Sequence, residues 1–96
     1  MPSVVVSDVR QPETLVLGKK TGNPYTYGIT IRGSGEIDGE AKISLLLNGE
    51  QYRVEKLSGK VDFEWGGDWY SETAEIRYEP GNVRSGKLLL RYRFHR

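Results

Sequence analysis

Lys87-Leu88-Leu89-Leu90-Arg91-Tyr92-Arg93-Phe94-His95 reads as a strand with an inside and an outside. Leu88, Leu90, Tyr92 and Phe94 recur at every second position, with Lys87, Arg91, Arg93 and His95 between them. A period of two is the spacing of side chains on one face of a pleated strand, whereas a helix face needs intervals of three and four. Glu72 to Glu79 repeats the pattern, with Ala74, Ile76 and Tyr78 inward and Glu75, Arg77 and Glu79 outward, and Pro80-Gly81 stops it. Val61, Phe63 and Trp65 alternate with Asp62 and Glu64 in a third strand.

Further upstream, Lys42 to Leu47 and Glu50 to Leu57 flank Asn48-Gly49, a pair suited to a type I′ turn because both central positions need positive φ. Residues 40 to 47 also have good helix propensity, but the alternation of Tyr52 and Val54 and the two-residue connector favour a hairpin. Tyr25, Tyr27, Ile29 and Ile31 make another strand after the Lys19-to-Pro24 turn. Val4 to Val9 and Thr14 to Leu17, broken by Gln11-Pro12, read as an edge strand that bends and continues.

Seven to eight strands with turn signals every eight to twelve residues fit an all-β protein, an antiparallel β-sandwich in preference to a closed barrel. The expected core is Ile29, Ile31, Ile43, Leu45, Tyr52, Val54, Val61, Phe63, Trp65, Ala74, Ile76, Tyr78, Leu88, Leu90, Tyr92 and Phe94. The run Ala74-x-Ile76-x-Tyr78-x-Pro80, a turn, then Ser85-Gly86-x-Leu88-x-Leu90-x-Tyr92-x-Phe94 resembles the last two strands of immunoglobulin-like and fibronectin type III-like domains. That resemblance covers about a quarter of the chain and lacks the cysteine pair of antibody domains. It implies an immunoglobulin-like Greek key at the level of fold and transfers no functional residues.

The chain has 96 residues, 12 Gly, 4 Pro and no Cys, with 14 Lys+Arg against 13 Asp+Glu for a formal charge of +1. This length fits a single domain over residues 1–96, with enough core to fold without disulfides. The near-zero charge by itself gives no indication of a polyanion-binding protein. Apolar runs are no longer than triplets, far short of the roughly 20 residues of a membrane helix. Met1-Pro2-Ser3 runs into a valine strand with no secretory-signal pattern, which favours the cytoplasm.

Catalytic material is sparse, so the expectation is no enzyme and no cofactor. A chain without Cys, and with His95 as its one histidine, lacks a thiol nucleophile, a Ser-His-acid arrangement and a zinc ligand set. Gly81 to Lys87 matches the G-x-x-x-x-G-K core of a phosphate-binding loop, but Leu88 follows and a strand begins where that mechanism requires a helix. Glu36, Asp38 and Glu40 alternate as a solvated strand face and lack the ligand spacing of a calcium loop. Asp62 and Glu64 share an outward face without a cleft to desolvate them. Arg91, Arg93 and His95 fall on the outer face, where acids of neighbouring strands are expected to pair with them, so a nucleic-acid role is disfavoured.

The most unusual chemistry is Trp65-Gly66-Gly67-Asp68-Trp69-Tyr70. Trp65 keeps the inward phase of Val61 and Phe63. Trp69 and Tyr70 at a glycine-bounded loop, with Asp68 as an acceptor, are the residues from which a sugar-binding face could be built, and such aromatics also serve protein contacts. The principal reading is a non-catalytic binding module for another protein, acting through loops or through an edge strand that also permits a homo-oligomer. The alternative is a carbohydrate-binding module that takes polysaccharide on Asp68, Trp69 and Tyr70.

Overall fold

The computed structural model describes residues 2–96, in which six strands form one hydrogen-bonded antiparallel sheet. They are β1 (Ser3–Val5), β2 (Glu13–Gly18), β3 (Gly28–Leu47), β4 (Glu50–Asp68), β5 (Thr73–Pro80) and β6 (Ser85–His95). No helix among the described residues is long and apolar enough to cross a membrane.

The registers arrange these strands in four lanes. β4 follows one side of β3 along its whole length. On the other side of β3, β6 pairs with residues 28–38 and β5 with residues 41–46, so β5 and β6 lie end to end as one interrupted lane. β2 pairs with the far side of β5 and β1 with the far side of β6, completing an outer lane interrupted over residues 6–12. The β3 lane breaks register between Ile37 and Glu40, at the level where the β5–β6 connection interrupts its neighbour. A 20-residue strand lying flat would reach about 66 Å, yet the longest dimension of the molecule is 41 Å. The sheet is therefore folded across its middle, and its two halves enclose the core.

Local chemistry sets the fold line. Gly39 has φ 128°, and a Cβ there would stand 2.5 Å from the Asn82 carbonyl oxygen, so the crossing of the two lanes requires glycine. The β5–β6 turn is tied to the bend by three bonds. Gly81 N–H donates to the Glu40 carbonyl, Arg84 N–H to the Asp38 carbonyl, and Glu40 N–H to Asn82 Oδ1, each at 2.8 Å. At the other end of β3, Asn48 and Gly49 both have positive φ, as a type I′ hairpin requires.

One apolar cluster joins both halves. Ile29, Ile31, Val61, Leu88 and Leu90 come from one, and Ile43, Leu45, Leu17, Ala74, Ile76 and Tyr78 from the other. Phe63 and Trp65 are buried with ring centroids 4.8 Å apart, and Tyr92 and Phe94 pack against the cluster half-buried. Val6, Val9, Leu15, Ile37, Ala41, Leu57, Trp69 and Val83 complete it.

Several sequence expectations change. Tyr52 and Val54 are not core: they are 46% and 44% exposed. Leu45 pairs with Arg53 and Leu46 with Gln51, so Tyr52 is the extra residue of a bulge, while Val54 shares the outer face with Ser44. Six strands replace seven to eight because the segments expected as four separate strands are the two continuous strands β3 and β4. Tyr25 and Tyr27 precede β3 in an exposed connection. The immunoglobulin-like arrangement of two separate sheets is replaced by one folded sheet with the order β1-β6-β3-β5-β2 and β4 beside β3. Arg91 and Arg93 on the outer face of β6 do not meet acids across the strand either, since Arg91 stands opposite Arg32 and Ser3, and Arg93 opposite Thr30.

Candidate functional site

Folding the sheet brings its two free ends together. One half ends at Gly28, Asp68 and His95, and the other at Gly18, Leu47, Glu50 and Thr73. Three connections cap this open end: residues 19–27, the Asn48-Gly49 turn and residues 69–72. Tyr25, Tyr27, Tyr52 and Tyr70, the tyrosines with large exposed area, all belong to this end.

The 69–72 connection begins by extending the ladder, with Trp69 N–H donating to the Tyr27 carbonyl at 3.1 Å. The chain then turns, and the Trp69 indole N–H donates to the Thr73 carbonyl at 3.0 Å. Ser71 Oγ accepts the Thr73 N–H at 3.2 Å and tightens the turn. With both nitrogens engaged, Trp69 is 6% exposed, whereas Tyr70 projects outward at 77%. Tyr52, displaced by the bulge in β4, brings its ring centroid to 6.3 Å from that of Trp69, inclined at 48°. The Arg53 guanidinium lies 5.2 Å from the Tyr52 ring centroid and donates to the Gly66 carbonyl at 3.4 Å, fixing the other wall.

Leu47, Tyr52, Asp68, Trp69, Tyr70 and Ser71 line a cleft of about 380 Å³ between the hairpin tip and this connection. Tyr52 and Tyr70 are its exposed rings, Trp69 is buried beneath, and Asp68 supplies the carboxylate. No second acid lines it. Among the described residues, no three His, Asp or Glu side chains converge as a metal site.

Glu72 anchors the longest of the three connections. Its carboxylate accepts the N–H groups of Thr21, Gly22 and Asn23 at 2.7, 2.9 and 3.0 Å, together with the Thr21 hydroxyl. The Thr21 hydroxyl and these amides hold the Glu72 carboxyl down at a pKa of about 2, against an opposing contribution from burial. Asn23 Oδ1 accepts the Tyr25 N–H at 2.8 Å, and the Tyr27 and His95 ring centroids lie 6.2 Å apart.

Asp68, Trp69 and Tyr70, singled out from sequence, thus line one cleft. Trp69 does not offer a flat face to solvent, because its indole N–H is committed to Thr73 and its ring is buried. Trp65 is buried at 7% exposure. Asp62 and Glu64 lie away from the cleft, and Glu64 faces Arg32 at 3.8 Å. Sequence reading missed Leu47, Tyr52 and Ser71. Their one signal was position, since Leu47 and Tyr52 flank the hairpin turn and Ser71 follows Tyr70.

Solved structures match the chain to differing extents. One described as "CBM4 structure and function" matches with a TM-score of 0.51 and 11% identity over 88% of this chain and 61% of that one. A carbohydrate-binding module CBM36, solved in complex with calcium and xylotriose, matches with a TM-score of 0.42 and 14% identity over 97% of this chain and 89% of that one. The likeness to the first is one of fold, an all-β sandwich, and the chain spans 61% of its length. No family model matches the chain, and no curated protein does.

Proposed function

We propose that the protein is a non-catalytic carbohydrate-binding module whose site is the open-end cleft. The observation that carries this reading is Tyr70, 77% exposed beside Asp68 at the mouth of a cleft whose other exposed ring is Tyr52. A sugar ring presents apolar C–H faces and a rim of hydroxyls, and it needs flat rings to stack on and a few fixed polar groups. Tyr52 and Tyr70 supply the rings, and Asp68 and Ser71 supply hydrogen bonds. Leu47 and the buried Trp69 make the floor apolar. The fold-level likeness to the CBM4 structure is consistent with this reading. One carboxylate without a partner across the cleft suits binding better than glycoside hydrolysis, which uses two.

Titration calorimetry with a neutral xylo-oligosaccharide and a neutral gluco-oligosaccharide tests the reading on wild type, Tyr70→Ala and Asp68→Asn. The expected result is binding by wild type of at least one of them and its loss in Tyr70→Ala, with the unfolding midpoint unchanged. Equal affinity of wild type and Tyr70→Ala, or no binding to either sugar, overturns the site.

A second reading, association through an edge strand, draws on β4, which pairs with β3 alone and leaves its other edge open. Lys56, Lys60, Asp62 and Glu64 are exposed along that strand, and such charges oppose edge-to-edge pairing. Sedimentation equilibrium tests it, a concentration-dependent dimer being the supporting result.

A further inference from the structure

The outer face of β6 carries Lys87, Leu89, Arg91, Arg93 and His95, and its neighbours are unusual. Arg91 is the direct cross-strand partner of Arg32, and like charges directly opposite one another oppose strand pairing. Arg93 lies on the same face two residues along, about 7 Å from Arg91, opposite Thr30. All three arginines are exposed. Arg32 has an acid at hand, Glu64 at 3.8 Å, with both side chains more than half exposed. Among the described residues Arg91 and Arg93 enter no ion pair. The other acids of this face stand opposite other residues: Glu36 is opposite Lys87 and Lys60, and Asp62 is opposite Ser34. A chain of net charge +1 thus holds three guanidiniums together on one surface, a grouping that packing does not require.

The stripe leads to the open end. His95 holds the Thr30 hydroxyl at 2.8 Å, and its ring centroid lies 6.2 Å from that of Tyr27, which is 58% exposed. We propose that Arg32, Arg91 and Arg93, with Tyr27 at the end of the stripe, form a second binding surface, for a carboxylate-bearing polysaccharide. The glycan class rests on the function proposed above, and the acidic character rests on the arginines alone. A guanidinium fork meets a carboxylate through two parallel hydrogen bonds, and repeated forks on a sheet face suit an extended polymer with a regularly repeated acid. Nucleic acid fits less well, because the stripe interposes no aromatic between its arginines for a base to stack on.

Calorimetry with an oligogalacturonate on wild type and on the double variant Arg91→Gln/Arg93→Gln tests this surface. The expected result is binding that weakens with added salt and is roughly tenfold or more weaker in the double variant. The affinity of the double variant for a neutral xylo-oligosaccharide and its unfolding midpoint are expected to equal those of wild type. Unchanged oligogalacturonate affinity in the double variant overturns the inference. So does tighter binding of a single-stranded oligonucleotide than of oligogalacturonate, which would make the face a nucleic-acid surface. Neutral-sugar binding through Tyr70 without any oligogalacturonate binding removes this inference and leaves the cleft standing. Oligogalacturonate binding that depends on Arg91 and Arg93, without any effect of Tyr70→Ala on neutral sugars, keeps this inference and removes the cleft.

Discussion

The Tyr78 hydroxyl donates to the Val9 carbonyl at 2.7 Å inside the core, tying β5 to the connection between β1 and β2. Tyr78 is fully buried and Val9 is 5% exposed, so solvent does not compete for either group. Tyr78→Phe leaves the Val9 carbonyl without this donor, and the expected cost is about 1–3 kcal/mol in urea unfolding. Burial raises the phenol above its ordinary pKa, with the Asp8 carboxylate adding to the shift. A raised value in the folded state makes the contribution complete below about pH 10, the ordinary value, and lost as pH climbs through the folded value. Stability that falls equally in wild type and Tyr78→Phe above that pH would show that the phenol is not the cause.

Glu72 makes the opposite prediction at the acid end. Its folded value of about 2 lies below the ordinary 4.5, chiefly because the Thr21 hydroxyl and then the amides of the 19–27 connection bond to the ionised form. The contribution is present above the ordinary value and is lost as pH falls from about 4.5 toward 2. NMR titration should show the amides of Thr21, Gly22 and Asn23 moving together in that window, before the core amides respond. A Glu72 carboxyl titrating near its ordinary value would contradict the anchor.

Trp65 and Trp69 are 7% and 6% exposed, so wild-type emission should be blue-shifted and poorly quenched by acrylamide. Trp69→Phe removes the indole N–H from the Thr73 carbonyl and leaves space at the cleft floor, at an expected cost of about 1–3 kcal/mol. Tyr70→Ala, at a residue 77% exposed, should leave stability within about 0.5 kcal/mol of wild type. A red-shifted emission that disappears in Trp69→Phe would place that indole in solvent and contradict the turn geometry.

The inward phase of Leu88, Leu90, Ile76, Tyr78, Val61, Phe63 and Trp65 was legible because each run is apolar at every second position and buried on one face only. Tyr52 and Val54 alternate just as cleanly and point the other way. Alternation gives the period but not the sign, and β4 at that end lies at a sheet edge where the inward-phase Arg53 and Glu55 reach solvent. The continuity of β3 through Gly33, Gly35 and Gly39 was hidden, since glycines that permit close lane contacts look the same in a sequence as glycines that make turns. The grouping of Asp68, Trp69 and Tyr70 was legible from adjacency. Tyr52 and Leu47 reach the cleft only through the fold, and the opposition of Arg32 to Arg91 depends on a register linking residues 59 apart in sequence.

Ser44 breaks the pattern of its strand. It lies between Ile43 and Leu45 in the outward phase of β3, opposite Val54 and Arg77, yet it is 0% exposed and its hydroxyl has no hydrogen-bond partner among the described residues. An unpaired buried hydroxyl is paid for in desolvation without return. Ser44→Ala removes it at little loss of volume and should raise stability by up to about 1 kcal/mol, read as a higher urea midpoint at an unchanged slope. Ser44→Val fills the position beyond its present volume and should lose about 1–3 kcal/mol by overpacking. A Ser44→Ala variant less stable than wild type would mean that the hydroxyl holds a partner, and the position would then belong with the polar contacts of the outer face, beside the 2.9 Å bond from Arg77 to Thr14.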